Sequence, residues 1–179
     1  MFKNISNIDF DAEDLKFDFG CGQNKEKGFV GVDIQEHKGV DIIADFKDFN
    51  EIPDNCASVI SSCHFIEHFT IREQHQIMTD WVRILRPSGT LVCHFPDIGK
   101  VNPSLDAKWA LQYVYGAMKN KYDCHKSFNT SESMAILFDT FGLKNNKCED
   151  YMGRLHFSKT INRFEDRVWT TTITGINNV

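Results

Sequence analysis

The sequence predicts an α/β domain with a Rossmann-like, doubly wound, mostly parallel seven-stranded sheet, helices on both faces and a shortened first crossover. Three observations carry this. Short apolar runs alternate with helical patterns along the chain. "FDFGCG" at 17–22 closes one apolar run with two glycines, at the kind of strand end where open parallel sheets meet their ligands. Only about eight residues then separate that run from the next, too few for a full crossover helix.

The elements follow in order. "LKFDFG" (15–20), "GFVGVDI" (28–34), "VDIIADF" (40–46), "SVISSCHF" (58–65) and "TLVCHFP" (90–96) read as five strands. Between the last two, Ile77, Met78, Trp81, Val82 and Leu85 share one helical face. Thr70 and Glu73 form a capping box ahead of it, and Pro87 and Gly89 stop it. A second helix is expected in "SLDAKWALQYVYGAM". A third is expected in "NTSESMAILFDTFG", with Asn129 or Thr130 as its cap and Gly142 at its end. "NKCEDYM" and "RVWTTTITGI" are the remaining strand candidates, and the alternation in the latter suits an edge or antiparallel strand.

The 179 residues, 41 % hydrophobic and 25 % charged, suit a single soluble domain over 1–179 with a substantial core. There are no repeats and no low-complexity linkers. A net charge of −5 with no Lys/Arg-rich tract argues against a nucleic-acid partner, as does the lack of an Asn/Asp-Pro-Pro-aromatic motif. No apolar stretch reaches 18 residues and "MFKNISNIDF" lacks a signal-peptide core, so a cytoplasmic protein is expected. The six cysteines form no close pair and read as free thiols rather than zinc ligands or disulfides. Self-association is left open.

Gly20 and Gly22 allow close approach of a ligand, and Asp33 at the end of the second strand can accept from two ribose hydroxyls. An ordinary turn explains the glycines alone equally well. Together with Asp33 they point to an adenosine-containing cofactor. A dinucleotide fingerprint needs a third glycine opening a helix. Lys25 stands there, and no helix fits. S-adenosylmethionine has no pyrophosphate and asks for less: backbone groups for its amino-acid end, a loop oriented by Asp18, and Asp33 for the ribose.

"FDFGCG", "GVDI", "ADF", "CHFIEHF" and "VRILRPSGTL" occur in this order, and the set resembles the class I S-adenosylmethionine-dependent methyltransferases. More narrowly it resembles the short methyltransferases associated with polysaccharide biosynthesis, whose glycine-rich loop runs almost directly into the second strand. The resemblance covers about residues 15–98, with a weaker echo in "HKSFNTSESMAILFDTFGLK". It implies a cofactor site at Asp18, Gly20, Cys21, Gly22, Asp33, Ile34, Asp45, Phe46, Cys63 and His64. In that pattern Asp45 and Phe46 flank the adenine, and Cys63 and His64 lie near the sulfonium. It also implies a small-molecule or glycan acceptor, methylated on a hydroxyl. Other readings stay open: another small metabolite, a protein side chain, or a non-catalytic partner module.

Methyl transfer to a hydroxyl is aided by a general base. His64 and Asp97 stand at the ends of the fourth and fifth strands, which are neighbours in such a sheet, and His125 is a reserve. Glu67 and His68 in "HFIEHF" read as a brace of the turn as readily as site residues. His64 and His68, four apart, could look like a metal pair, but the histidine–glutamate order does not match the zinc-protease motif, and no metal is expected. Trp109, Tyr113, Tyr115 and Tyr122 lie where an acceptor would be recognised, though half could simply pack a helix. Lys119, Lys121, His125 and Lys126 form a modest basic cluster that reads first as solvated surface and second as a meeting place for an anionic acceptor.

Overall fold

The computed structural model describes residues 5–101, 107–150 and 170–178. Its strands are β1 (Lys16–Phe19), β2 (Val30–Asp33), β3 (Ile42–Ile43), β4 (Ala57–Cys63), β5 (Leu85–Pro96), β6 (Leu143–Asp150) and β7 (Thr170–Asn177). They form one sheet in the order β3-β2-β1-β4-β5-β7-β6. The first five are parallel, and β7 runs antiparallel to both β5 and β6. The seven-stranded, Rossmann-like expectation holds. The alternating strand near the C-terminus is antiparallel, as one of its two readings had it, but it sits inside the sheet, and β6 forms the edge. Parts of two expected elements, 104–106 and 151–152, lie outside the described residues, as do 167–169.

Strand order reverses between β1 and β4, so loops leaving β1 and β4 diverge and open a crevice at their carboxyl ends. Helical cover is uneven. The α-helices are α1 (Ile71–Ile84), α2 (Ala107–Tyr115) and α3 (Ser131–Thr140), all after β4. The β1–β2 connection is only residues 20–29 and holds no helix, so the first crossover is indeed shortened.

Alternation builds the core. Phe17 and Phe19 on β1, Ile60 on β4, and Leu91, Cys93 and Phe95 on β5 are fully buried. α1 lays Ile77, Met78, Trp81 and Ile84 onto them, at helical spacing. The Phe19 ring packs 4.6 Å from Phe49 and 5.6 Å from Trp81. Aromatic burial on this scale is worth several kcal/mol per ring, about 3–5 kcal/mol on truncation to alanine.

The expected Thr70–Glu73 capping box is formed reciprocally. The helix stops at Ile84, before Pro87, and β5 begins at once, with Leu85 paired to Ala57. β5 is therefore longer than its apolar run. Asn177 makes the sharp exit affordable to the backbone: its Nδ2 donates to the carbonyls of Val82, Leu85 and Arg86 at 3.1–3.3 Å. Thr130, not Asn129, caps α3, and Gly142 follows its end at φ 81°.

Candidate functional site

The loop after β1 is held by carboxylates rather than by a helix. Asp18, 4 % exposed, accepts from the Glu26 amide at 2.7 Å. Asp33 accepts from Gly22 N at 2.9 Å and Gln35 N at 2.8 Å. Asp41 accepts from Gly31 N at 2.8 Å and pairs with Lys25 at 2.7 Å. Gly20 adopts φ 72°, and a Cβ there would fall 2.3 Å from Phe65 Cδ2. Only glycine combines that dihedral with that contact.

This loop rims a cavity of about 420 Å³. Gly20, Asp33, Ile34, Asp45, Phe46 and His64 line it, six of the residues expected at a cofactor site. Phe46 stacks edge-on against Phe69 at 5.1 Å, and Asp45 caps the 3-10 turn Phe46–Glu51 through Lys47 N. Asp33 keeps capacity for a ligand. Each of its oxygens holds one backbone N–H, and a carboxylate oxygen has two lone-pair sites, so each can accept one further hydroxyl. Carboxylate, aromatic wall and a Cβ-free approach fit an adenosine-type cofactor.

The second part of the site grows from "CHFIEHF". His64 sits at φ 51°, in the left-handed region, and turns β4 into the 3-10 turn Ile66–His68. Its amide donates to the His94 carbonyl at 2.9 Å, which pins the strained residue between β4 and β5. His64 Nδ1 lies 3.0 Å from Glu67 Oε1, and its Nε2 lies 3.3 Å from Thr170 Oγ1. Glu67 is 1 % exposed. Burial pushes its carboxyl up, but the hydrogen bond and charge of His64, with His68 and His125 behind it, outweigh that and hold it below its ordinary value. Burial pushes His125 the other way, toward neutrality, against the pull of Glu67. Glu67 therefore stands as the ionised acceptor of His64 Nδ1.

The remaining expectations fall elsewhere. Cys21 is buried against Gly31, and its thiol is pushed up to about 12 by burial and by Asp18, Asp33 and Asp41. It does not line the cavity, nor do Asp18, Gly22 and Cys63. Asp18 and Gly22 serve it through the loop. Asp97 is 3 % exposed, and its oxygens are taken by Gly99 N, Ser131 Oγ and Thr171 Oγ1 at 2.6–3.0 Å. It braces β5 to α3 and β7 and is away from the cavity lining, because its partners come from residues far along the chain. His125 stands behind Glu67, 3.9 Å from Oε1, with its side chain 10 % exposed.

The far wall comes mainly from residues whose sequence reading favoured plain surface. Lys119, Lys121, Tyr122 and Lys126 line the cavity, so the basic cluster is part of the site rather than plain surface. The amides of Lys126 and Ser127 donate to the Glu67 carbonyl at 2.8 and 3.2 Å and fold this segment over the cleft. Tyr113 turns inward, 3.4 Å from Thr170 Oγ1, whereas Tyr115 is exposed. The side chain of Trp109 lies outside the described set.

A cleft at the switch point of this sheet, glycine-floored and carrying a carboxylate at the end of β2, is that of a Rossmann-like domain suited to an adenosine-type cofactor. The methyltransferase domain family model matches residues 2–93, about half of the sequence, and the chain belongs to that family. It is an S-adenosylmethionine-dependent methyltransferase. No curated protein matches it significantly. It is similar in fold to a SAM-dependent methyltransferase from Archaeoglobus fulgidus (TM-score 0.66, 16 % identity, covering 93 % of this chain and 87 % of that one). A second is the S-adenosylmethionine-dependent methyltransferase from Mesorhizobium loti (0.58, 13 %, covering 96 % and 94 %). A third is phosphoethanolamine N-methyltransferase 2 from Haemonchus contortus in complex with S-adenosyl-L-methionine (0.60, 12 %, covering 93 % of this chain but 49 % of that one). Among the described residues no helix is long and apolar enough to cross a membrane.

Proposed function

We propose that this methyltransferase O-methylates an anionic sugar or glycan precursor in cytoplasmic polysaccharide biosynthesis. The observation that carries the acceptor class is the shared cavity. Lys119, Lys121 and Lys126 line the same space as Asp33, Asp45 and Phe46, with Tyr122 among them. Lysines suit a phosphate or carboxylate on the acceptor, and an aromatic face suits a sugar ring. The resemblance to short methyltransferases of polysaccharide biosynthesis supports the pathway.

Asp33 would hold the ribose, Asp45 and Phe46 the adenine, and the backbone near Gly20 the amino-acid end. S-adenosylmethionine supplies, when bound, a methyl on a good leaving group, so positioning is much of the task. His64 is the base in this reading. Its Nδ1–H is engaged by Glu67, which leaves Nε2 to take the acceptor proton. Thr170 Oγ1, 3.3 Å from Nε2, supports this as a hydroxyl within hydrogen-bond reach of that nitrogen. Asp97 drops out of the catalytic set, and His125 supports Glu67.

The test is methyl transfer from labelled cofactor to a panel of nucleotide sugars, sugar phosphates, uronic acids and their neutral counterparts. Transfer to oxygen of an anionic sugar is expected. Transfer only to amines, or only to uncharged acceptors, overturns the reading.

A further inference from the structure

The buried end of "HFIEH" is chemically unfinished. Glu67 Oε2 is buried and has no hydrogen-bond partner among the described residues. Oε1 takes His64 Nδ1 at 3.0 Å and lies 3.9 Å from His125 Nε2. One donor atom each from Glu67, His68 and His125 all fall within 4.8 Å of one another. A carboxylate oxygen withdrawn from water with nothing to accept is costly, and a cation removes that cost.

The His68 imidazole is held as a metal ligand is held. His68 Nδ1 lies 3.2 Å from the Cys124 carbonyl, so Nδ1–H donates there and Nε2 keeps its lone pair. His125 is placed through its backbone, whose amide donates to the Tyr115 carbonyl at 3.1 Å. A ligating histidine typically gives its other N–H to a carbonyl, which fixes tautomer and ring orientation. The frame is rigid, because the two amides that follow His125 both donate to the Glu67 carbonyl.

We propose that Glu67, His68 and His125 bind one divalent transition-metal ion, with Zn²⁺ the best match to their chemistry. One carboxylate and two imidazoles suit Zn²⁺ and its first-row neighbours, whereas Mg²⁺ and Ca²⁺ call for oxygen ligands throughout. Three protein ligands leave coordination positions open. His68 also lines the cavity, so an ion here is reachable from it. The expectation of no metal comes from comparing His64, Glu67 and His68 with a helical motif. The site uses a 3-10 turn and a third ligand far along the chain, which that comparison cannot see. The binding rests on the cluster alone. A role in holding the acceptor oxygen as a Lewis acid rests on the methyltransferase reading.

The experiment titrates Co²⁺ into the chelator-treated full chain, followed by absorption, with Zn²⁺ then added as competitor. One equivalent should bind, with visible ligand-field bands of nitrogen and oxygen ligation that Zn²⁺ abolishes. His68→Ala and His125→Ala should each weaken binding at least tenfold. Glu67→Gln should do the same, and His75→Ala on α1 should leave it unchanged. Circular dichroism reports whether each variant is folded, and glutamine replaces alanine at a histidine where it is not. S-adenosylhomocysteine binding in the same samples separates failure of the metal site from failure of the methyltransferase reading. Absence of one-equivalent binding overturns the proposal. So does binding that survives both histidine variants, or near-ultraviolet thiolate-to-cobalt bands that show cysteine ligands.

Discussion

In the loop after β1, carboxylates grip groups close by in the chain. Asp18 holds the amide of Glu26, Asp33 that of Gly22, and Asp41 the ammonium of Lys25, 16 positions away. Around Glu67 the partners come from afar: His68 meets a carbonyl 56 positions on, and His64 meets Thr170, 106 positions on. The first region is assembled by local turns and presents backbone to a cofactor. The second exists only once β5, β7 and the 119–127 segment have docked. One cavity thus has a locally built wall for the invariant part of the reaction and a tertiary wall for the acceptor.

The comparison makes separable predictions. Damage to the histidine wall should cost turnover and spare cofactor affinity. His64→Ala should slow single-turnover transfer about 10²–10⁴-fold while S-adenosylhomocysteine affinity stays within about twofold. If both fall together, the walls are not independent.

Asp97→Ala should act on neither. It strips partners from Gly99, Ser131 and Thr171 inside the fold and should cost about 2–4 kcal/mol in denaturant unfolding. A folded variant of native stability with no turnover would return Asp97 to the catalytic set.

Damage to the loop wall should do the reverse of the histidine change. Asp33→Ala removes the anchor of Gly22 and the ribose acceptor together, and should weaken S-adenosylhomocysteine binding by about 1–3 kcal/mol. Calorimetry that shows unchanged affinity would remove Asp33 from the site.

A smaller effect belongs to the sheet between the two walls. Burial, with a lesser push from His64, lowers the pKa of His94 from 6.5 to about 4. Protonation therefore favours the unfolded chain. The stability that neutral His94 contributes is complete above pH 6.5 and is lost as pH falls toward 4, by about 2 kcal/mol after allowance for its partial exposure. His94→Gln should remove that part of the acid sensitivity in urea midpoints measured across this range. The smallest effect is at the rim. Lys121→Ala should raise the acceptor KM only a few-fold, with the difference fading in high salt, since exposed charges are worth about 1 kcal/mol or less.

The same contrast explains what could be read in advance. Gly20 and Asp33 were legible because a short loop sets its glycine and the next carboxylate at strand ends, whereas Asp45 and Phe46 were legible only through the family resemblance. The helix and cap at Thr70–Glu73 were legible because the capping box is a four-residue device. Asp97 misled, because its position after β5 shows in sequence whereas the Ser131 and Thr171 hydroxyls that occupy it do not. The lysine cluster was visible, but its place at the cavity was not, for the same reason: nothing local says that Lys126 N will find the Glu67 carbonyl. "HFIEHF" stood out in the sequence, but its meaning depends on His125, which only the fold brings to it.

The most direct test of the account is a calorimetric titration of the wild-type chain with S-adenosylhomocysteine and, separately, with NAD. The glycine loop, Asp33 and the missing pyrophosphate helix predict one equivalent of S-adenosylhomocysteine bound and NAD bound poorly. Tight NAD binding without S-adenosylhomocysteine binding would contradict it.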